Sequence, residues 1–317
     1  MVCIRLDLNS GIGLNSEIGL NSEIDLAAGS VIKGGMNYRH AYHAGNFADV
    51  VKHAALALIL DYLKRKDSAF RVIDTHSGIG VYDLAGEEAQ RTGEWHAGIG
   101  RLLDASLSPD AAALLAPYLE AVAAVKGLVK PTAYPGSPAI AQHLTRDQDR
   151  MIFVEKHPRD ALALKQNMAG DERIKVIELD GWTALKAYIP PPERRGLVLI
   201  DPPFEVPDEF EKLAQNVVKA YRKWPTGIYA IWYPLKNKTA SDHFRQTMRE
   251  SGIPRMLCVE LRVREEQDRG LFSGSGLMLV NPPFVLAEQM SVLLPELLAI
   301  LKQAPGSGWS VTWLTPS

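Results

Sequence analysis

The chain has 317 residues, of which 46% are hydrophobic, and its formal net charge is −2. This length and composition suit one large or two small globular domains, and no run of about 18 apolar residues indicates a membrane span. The small net charge excludes nucleic-acid binding through overall charge, so any RNA contact requires a local basic patch. Two cysteines are too few for a disulfide framework or a paired zinc site. Because the N-terminus also lacks a signal sequence, we expect a cytoplasmic protein.

The first 35 residues differ in character from the rest. Residues 8–25 repeat a hexapeptide as LNSGIG, LNSEIG and LNSEID, which is too short for a stacked repeat domain. We therefore predict a weakly structured extension over residues 1–35. Our hypothesis is that Met36 is the functional start and that the extension is an upstream read-in or a fusion remnant.

After Met36 the pattern is one of alternating helices and strands. A helical pattern from Asp49 to about Lys66 leads into the strand of AFRVIDTH. Strands are also predicted at 150–158, 174–180, 196–204, 227–235, 255–263 and 276–284, with helices at 158–169, 206–224, 238–252 and 285–304. This alternation predicts an α/β fold with a mainly parallel sheet covered on both faces. The Ala- and Leu-rich residues 84–130 interrupt it and are predicted to form a small inserted helical subdomain.

Residues 36–66 hold the one basic patch that the pattern suggests. They contain five basic and two acidic residues, a net charge of +3, together with His40, His43 and His53. Such a patch is either a solvated helix face or an RNA contact.

Acidic residues follow several of the predicted strands. Asp74 ends the first strand, just before the glycine-rich turn that contains Gly78 and Gly80, and Glu155, Asp180 and Asp201 follow later strands. In an open parallel sheet these strand ends line one crevice, where ligands bind. A carboxylate on the second strand suits ribose hydroxyls, and one on the third can accept from an adenine amino group. Because no pyrophosphate site is evident, the order fits S-adenosylmethionine better than a dinucleotide.

The string Asp-Pro-Pro-Phe at 201–204 suits methylation of an exocyclic amine. The Asp201 carboxylate can accept one amine hydrogen and the Pro202 carbonyl the other, which frees the nitrogen lone pair. The prolines fix the backbone and bring no competing N–H. Phe204 offers a face on which an extruded base can stack.

A near-copy, Asn-Pro-Pro-Phe, occurs at 281–284. The link 264–273 before its strand is too short for a helical crossover, so a hairpin is expected. The strand should then run antiparallel to its neighbour and place Asn281 at the far edge of the sheet. We therefore predict that this string ends a strand and is not catalytic.

Residues 36–317 resemble the J-type 23S ribosomal RNA (adenine-N6)-methyltransferase family, a family of Rossmann-like, S-adenosylmethionine-dependent enzymes with an inserted helical subdomain. The resemblance is carried by YRHAYHAGNFADVVKH (38–53), DTHSGIGVYDL (74–84), RTGEW (91–95), YPGSP (134–138), EKHP (155–158), DG (180–181), RRGLVLIDPPF (194–204) and SGLMLVNPPF (275–284). The extension at 1–35 departs from the family pattern, in which Tyr38 would stand almost at the N-terminus.

The resemblance also implies roles for single residues. Asp201 would be catalytic, and Tyr38 would meet the RNA near the active site. It implies a monomer that acts on naked 23S rRNA instead of the assembled subunit, with no metal. Contacts with S-adenosylmethionine would come from Lys52, His53, His76, Ser137, Glu155, Asp180 and Gly181.

Other functions are compatible with parts of this pattern. Guanine N2 or a protein glutamine could replace adenine, since Asp/Asn-Pro-Pro-aromatic strings serve several planar amines. The histidines at 40, 43, 53 and 76 with Asp74 could form the ligand set of a metal hydrolase. A third possibility is an RNA-binding module that has lost catalysis, which the intact Asp201 and glycine-rich turn disfavour.

Overall fold

The structure, a computed structural model, describes residues 39–206, 208–266 and 272–315. The extension at 1–35 and Tyr38 lie outside the described residues, so the predictions made for them stay predictions. Residues Met36–Ser317 form one compact unit.

The described residues form ten strands and ten α-helices. The strands are β1 (Arg71–Asp74), β2 (Val81–Asp83), β3 (Ala133–Pro135), β4 (Arg150–Glu155), β5 (Ile174–Glu178), β6 (Gly196–Ile200), β7 (Ile228–Leu235), β8 (Met256–Arg262), β9 (Gly274–Val280) and β10 (Gly308–Trp313). The helices are α1 (Phe47–Lys64), α2 (Glu87–Thr92), α3 (Ile99–Leu103), α4 (Pro109–Leu128), α5 (Ser137–Leu144), α6 (Pro158–Asn167), α7 (Gly181–Tyr188), α8 (Glu209–Lys223), α9 (Lys238–Glu250) and α10 (Leu286–Leu301).

Eight of the strands form one sheet, in the order β10-β8-β9-β7-β6-β1-β4-β5. The five strands β5, β4, β1, β6 and β7 are parallel. Strand β9 runs antiparallel to both β7 and β8, and β10 pairs antiparallel with β8 at the edge. This confirms the mainly parallel α/β sheet, although the sequence pattern missed β10 and the small β2–β3 ribbon.

Helices cover both faces of the sheet. One apolar core lies beneath α1, α4, α5 and α10, and the other lies beneath α7, α8 and α9. Helix α1 begins where the Asn46 side chain accepts hydrogen bonds from the backbone N–H groups of Ala48 and Asp49, as an N-cap residue does. This cap fixes the first turns of α1, which carry Lys52.

The segment at 84–130 contains the helices α2, α3 and α4. Buried side chains of α4, among them Leu115, Tyr118 and Val122, belong to the same core as α1. The insertion is therefore packed onto the sheet domain through a shared core.

Helix α4 is also the one helix in the described part of the chain that is long and apolar enough to cross a membrane. Core helices of globular proteins pass the same test, so this is weak evidence for a span.

The two Pro-Pro-Phe strings lie at opposite edges of the sheet. We use carboxyl edge for the boundary of the sheet formed by the C-terminal ends of the five parallel strands. The boundary at which these strands begin is called the opposite edge. Asp201 follows β6 at the carboxyl edge, whereas Asn281 follows the antiparallel β9. The Asn281 amide donates to the carbonyl oxygens of Pro225 (2.7 Å) and Gly227 (2.9 Å), just before β7 begins. The predicted position of Asn281 at the far edge is confirmed.

Gly98 in the insertion makes a close backbone contact with the start of α1. Adding a single methyl group at Gly98 tests this contact. A Cβ at Gly98 would lie 2.1 Å from the Gly45 carbonyl oxygen and 2.5 Å from the Asn46 carbonyl carbon. Gly98→Ala should therefore lower the free energy of unfolding by about 1–3 kcal/mol, measured by urea denaturation. Gly127→Ala in α4 is the matched control, since nothing lies within 4 Å of the position that its added methyl group would take. It should be neutral or stabilise by up to about 1 kcal/mol, and equal effects of both substitutions would contradict this packing.

Candidate active site

The acidic residues predicted from the sequence lie side by side at the carboxyl edge. Strands β5, β4, β1 and β6 are neighbours in this order. At or just after their C-terminal ends lie, respectively, Asp180, Glu155, Asp74 and Asp201. Neighbouring strands in a sheet are about 4.8 Å apart, so the four carboxylates border one crevice. The predicted convergence of these strand ends is confirmed.

The glycine-rich turn connects β1 to the end of β4. The Gly78 N–H donates to Glu155 Oε2 (2.9 Å), and the Ser77 hydroxyl accepts from the Val154 N–H (3.0 Å). Gly78 has φ +57°, and a Cβ there would lie 2.1 Å from the Tyr82 hydroxyl oxygen. Only glycine fits this position without strain. The turn thus forms a backbone cradle beside the second strand of the crevice.

Asp74 is a structural member of this edge. Its carboxylate accepts from the Ser137 hydroxyl (2.6 Å) and from the His76 N–H (3.2 Å), and only 1% of the residue is exposed. Burial raises the pKa of Asp74 to about 6. Asp74 therefore fixes Ser137 at the start of α5, and Ser137 borders the crevice with its hydroxyl already engaged.

Glu155 and Asp180 remain available to a ligand. Glu155 accepts from two backbone N–H groups, those of Gly78 and His157 (2.8 Å), and burial raises its pKa. Asp180 caps α7 by accepting from the Thr183 N–H at 3.1 Å. Burial opposes the charge of Asp180, but the Thr183 N–H and the nearby Lys156 ammonium together lower its pKa. Each carboxylate has lone pairs left for hydroxyl or amino groups.

Gly181 and His76 form a wall beside these carboxylates. A Cβ on Gly181 would lie 2.4 Å from the Thr75 carbonyl oxygen and 2.8 Å from the His76 ring. The His76 ring meets Trp182 edge-on, with 5.4 Å between the ring centroids. Burial lowers the pKa of His76 to about 4, so the ring is neutral at pH 7 and offers hydrogen bonds without charge.

Lys52 connects α1 to the catalytic aspartate predicted from the sequence. Its ammonium nitrogen lies 2.5 Å from Asp201 Oδ2 and 2.9 Å from Asp49 Oδ1. The Lys52 side chain is only 5% exposed. Burial opposes the charge of Lys52, but the carboxylates of Asp201 and Asp49 outweigh it and raise the pKa of Lys52. The ammonium therefore stays charged, and of the Asp201 oxygens only Oδ1 is free of it.

His53, the next residue along α1, faces the protein interior. Its Nδ1 lies 2.9 Å from the Tyr134 hydroxyl, which lies 2.9 Å from the Tyr118 hydroxyl. The residue is 1% exposed, and burial lowers the pKa of His53 to about 3. This geometry makes it a neutral link between α1 and the insertion. A direct cofactor contact for His53 stays a prediction.

Pro202 and Phe204 follow Asp201 over the crevice. Pro202 is buried, and Phe204 has φ +51°, a backbone conformation rare outside glycine. The Phe204 ring centroid lies 4.8 Å from that of Phe210 and 5.7 Å from that of Trp232. An aromatic surface is thus held next to the Asp201 carboxylate.

Sequence reasoning missed several members of this site. Asp49 precedes Lys52 by three residues, a helical spacing that could have indicated the ion pair. No local signal marked Trp232, which reaches the crevice from β7 and whose indole N–H donates to the Ser275 hydroxyl (3.0 Å).

Two histidines of the possible metal site are paired with carboxylates. The His40 ring lies 3.0 Å from an Asp49 oxygen and the His43 ring 3.1 Å from Glu94. Within residues 39–206, 208–266 and 272–315, no three His, Cys, Asp or Glu side chains are placed to hold a metal ion. The arrangement therefore offers no support for the metal hydrolase alternative.

The sheet order, the glycine-rich turn and the acidic strand ends define a Rossmann-like, S-adenosylmethionine-dependent methyltransferase. A family model described as "Ribosomal RNA large subunit methyltransferase D, RlmJ" matches residues 67–315. Over 282 residues the chain is 40% identical to Ribosomal RNA large subunit methyltransferase J of Haemophilus influenzae, covering 89% of this chain and 99% of that protein. The protein of the same name from Escherichia coli is 39% identical over 281 residues, with the same coverage.

A solved structure agrees with these matches. Protein LPL1258 of Legionella pneumophila superposes with a TM-score of 0.76 and 34% identity, covering 86% of this chain and 98% of that one. The chain belongs to the large-subunit ribosomal RNA methyltransferase J family, which confirms the resemblance seen in the sequence.

The raised pKa of the buried Asp74 predicts how the stability of the protein depends on pH. A folded-state pKa of about 6 lies above the ordinary value of 3.8, so protonated Asp74 stabilises the fold at low pH and this contribution is lost as the pH rises through 6. Asp74→Asn, which cannot ionise, should therefore gain about 2 kcal/mol in unfolding free energy relative to the unsubstituted protein between pH 4 and pH 8. Urea denaturation at both pH values measures this gain. A difference that stays constant with pH would show that Asp74 does not titrate in this way.

Proposed function

We propose that the protein transfers a methyl group from S-adenosylmethionine to the exocyclic N6 of a specific adenine in 23S rRNA. The observation that carries this proposal is the Asp201-Pro-Pro-Phe204 segment, which the sheet holds at the carboxyl edge beside Lys52. The relatives, named large-subunit ribosomal RNA methyltransferases, support the RNA substrate. They favour it over a protein glutamine, and nothing comparable supports guanine N2.

The residues of the carboxyl edge fit the cofactor. S-adenosylmethionine, when bound, supplies an electrophilic methyl group on a sulfonium sulfur. Glu155 at the end of β4 would accept hydrogen bonds from its ribose hydroxyls, and Asp180 after β5 from its adenine amino group. Gly78 and Gly181 let the backbone pack tightly around this site, because a Cβ at either position would overlap Tyr82, or Thr75 and His76. We propose that Lys52, His76 and Ser137 complete this binding site, with His53 supporting it from behind.

Asp201 and Pro202 would prepare the target amine. With the Lys52 ammonium on Oδ2, Asp201 Oδ1 is left to accept one N6 hydrogen, and the Pro202 carbonyl would accept the other. These two bonds localise the lone pair on N6 and direct it at the methyl group. Most of the rate would then come from positioning.

Phe204 would hold the extruded base by stacking. Its ring is braced by Phe210 and by Trp232, so little conformational freedom is lost when a base settles on it. We infer that Trp232 forms the second wall of the base pocket, because it comes from the neighbouring strand β7. We also propose that Tyr38 meets the RNA, as the family resemblance implies.

The proposal extends to the setting of the reaction. We propose a monomeric, cytoplasmic enzyme that acts on naked 23S rRNA before the subunit assembles. The catalytic unit would comprise residues 36–317, since a 282-residue match covers 99% of the Haemophilus protein. Residues 1–35 would then be dispensable for methylation.

The cofactor part of the proposal is tested by a carboxylate replacement. Glu155→Gln keeps the size of the side chain but loses its charge, and should raise the Kd for S-adenosylmethionine about tenfold. Isothermal titration calorimetry measures this Kd. Glu172→Gln, an exposed residue before β5 at the opposite edge, is the matched control and should bind like the unsubstituted protein. Unchanged binding by Glu155→Gln would remove Glu155 from the site.

The catalytic part is tested on RNA from cells that lack the gene. Their 23S rRNA is incubated with labelled S-adenosylmethionine and the protein, digested, and the labelled nucleoside identified. N6-methyladenosine is expected, and Asp201→Ala should lower its rate of formation at least about a hundredfold. Asp208→Ala, an exposed carboxylate further along the same loop, should keep the rate. A different methylated nucleoside, or full activity of Asp201→Ala, would overturn the proposal.

A further inference from the structure

The second Pro-Pro-Phe string displays an aromatic ring on the protein surface. Asn281, with φ +51°, is held by hydrogen bonds to the carbonyls of Pro225 and Gly227. Pro282 and Pro283 are buried, whereas Phe284 is 72% exposed. A large apolar side chain presented this openly by a fixed turn contributes little to the core, so folding does not account for it.

Phe284 belongs to an aromatic and cationic cluster. Its ring meets Tyr62 edge-on, with centroids 5.8 Å apart, and the Arg65 guanidinium lies 5.5 Å from the centre of the Tyr62 ring. Tyr62 and Arg65 come from the end of α1 and the position after it. An exposed aromatic ring next to a guanidinium offers stacking and charge together.

Basic residues surround this cluster at the opposite edge. We define the opposite-edge basic surface as residues 61–68, 193–195, 222–227, 255 and 281–284. These segments hold eight basic and three acidic residues, a net charge of +5, in a chain whose net charge is −2. Its exposed cations are Arg65, Lys66, Arg194, Arg222, Lys223 and Arg255.

Contacts on this surface make it continuous. Arg195 donates to the Leu63 carbonyl at the end of α1 (3.0 Å), and the Asn281 N–H donates to the Arg255 carbonyl (3.1 Å). Arg194 and Arg255 both have positive φ, +55° and +54°. Left-handed backbone at residues other than glycine is typical of functional sites, and it is found here in two of the exposed arginines.

We propose that the opposite-edge basic surface is a second RNA-docking site, which grips 23S rRNA away from the target adenine through Phe284 stacking and phosphate contacts. This inference rests on the proposed RNA substrate. Charge complementarity selects RNA: an excess of +5 attracts phosphates, and an exposed aromatic ring stacks on unpaired bases of any sequence. A second copy of this chain would bring the same positive charge and be repelled.

The distance between the two sites determines which RNA can use both. Lys52 lies near the start of α1 and Arg65 just after its end, and the rise between them is about 20 Å along the helix axis. A hairpin of only a few base pairs seated in the active site is too short to reach Phe284, whereas long rRNA can contact both edges. The docking site should therefore matter for long RNA alone.

The test compares Phe284→Ala with the unsubstituted protein on two substrates: full-length 23S rRNA transcript, and a short hairpin that carries the methylated adenine. Phe284→Ala should raise the KM for the transcript at least about fivefold, with kcat, the Kd for S-adenosylmethionine and all hairpin kinetics unchanged. Phe284→Tyr should restore the KM. Leu128→Ala, which removes another exposed apolar side chain (86% exposed), is the matched control and should behave as the unsubstituted protein.

The charge reversal Lys66→Glu tests the contribution of phosphate contacts to RNA docking. Lys165→Glu, on the exposed side of α6, is the matched control. Lys66→Glu should weaken filter binding of the transcript and reduce the slope of log Kd against log salt by about 1; Lys165→Glu should change neither. Unchanged binding and KM in both Phe284→Ala and Lys66→Glu, or equal losses on the short hairpin, would overturn the docking site. Absence of methylation by the unsubstituted protein would instead refute the proposed function, and transcript binding would still test the surface.

Discussion

The ion cluster of Lys52 with Asp49 and Asp201 is the interaction on which the site depends. It connects Lys52 of α1 to Asp201 at the end of β6, two residues that are 149 positions apart in the chain. Charges that are this deeply buried are tolerated only when they are paired, so the three side chains hold one another in place. Because Asn46 and the insertion fix the start of α1, the position of Asp201 is set by the helical face of the protein as well as by the sheet.

The carboxyl edge divides its acidic residues between two tasks. Asp74 is buried and bonded to Ser137 and His76, so it organises the crevice. Glu155 and Asp180 accept hydrogen bonds from backbone N–H groups. Both carboxylates keep further lone pairs for a ligand. Asp201 is followed three residues later by Phe204, whose ring packs against Phe210 and Trp232. Strand position, and not residue type, is therefore the basis of our proposal that cofactor binding and amine activation use different parts of the edge.

Much of this arrangement follows from the sequence, for identifiable reasons. Alternating helical and strand patterns predicted the parallel sheet, and the short link before β9 predicted the antiparallel strand that separates Asn281 from Asp201. Local patterns could not show that His53 would face Tyr134, because this depends on how α1 packs against the insertion. Strand β10 could have been predicted, since Trp309, Val311 and Trp313 alternate with Ser310 and Thr312, a period typical of strands. Trp232 was missed because only the register of β6 and β7 brings it to Phe204.

The central claim is that one crevice at the carboxyl edge holds the cofactor and presents it to Asp201. A crystal structure with S-adenosylhomocysteine tests this most directly. We expect ribose hydroxyls on Glu155, the adenine amino group near Asp180, and the sulfur facing the Asp201-Pro202 segment. A ligand bound elsewhere, for instance in the polar groove at the opposite edge lined by Arg150, Asp171 and Arg173, would contradict it.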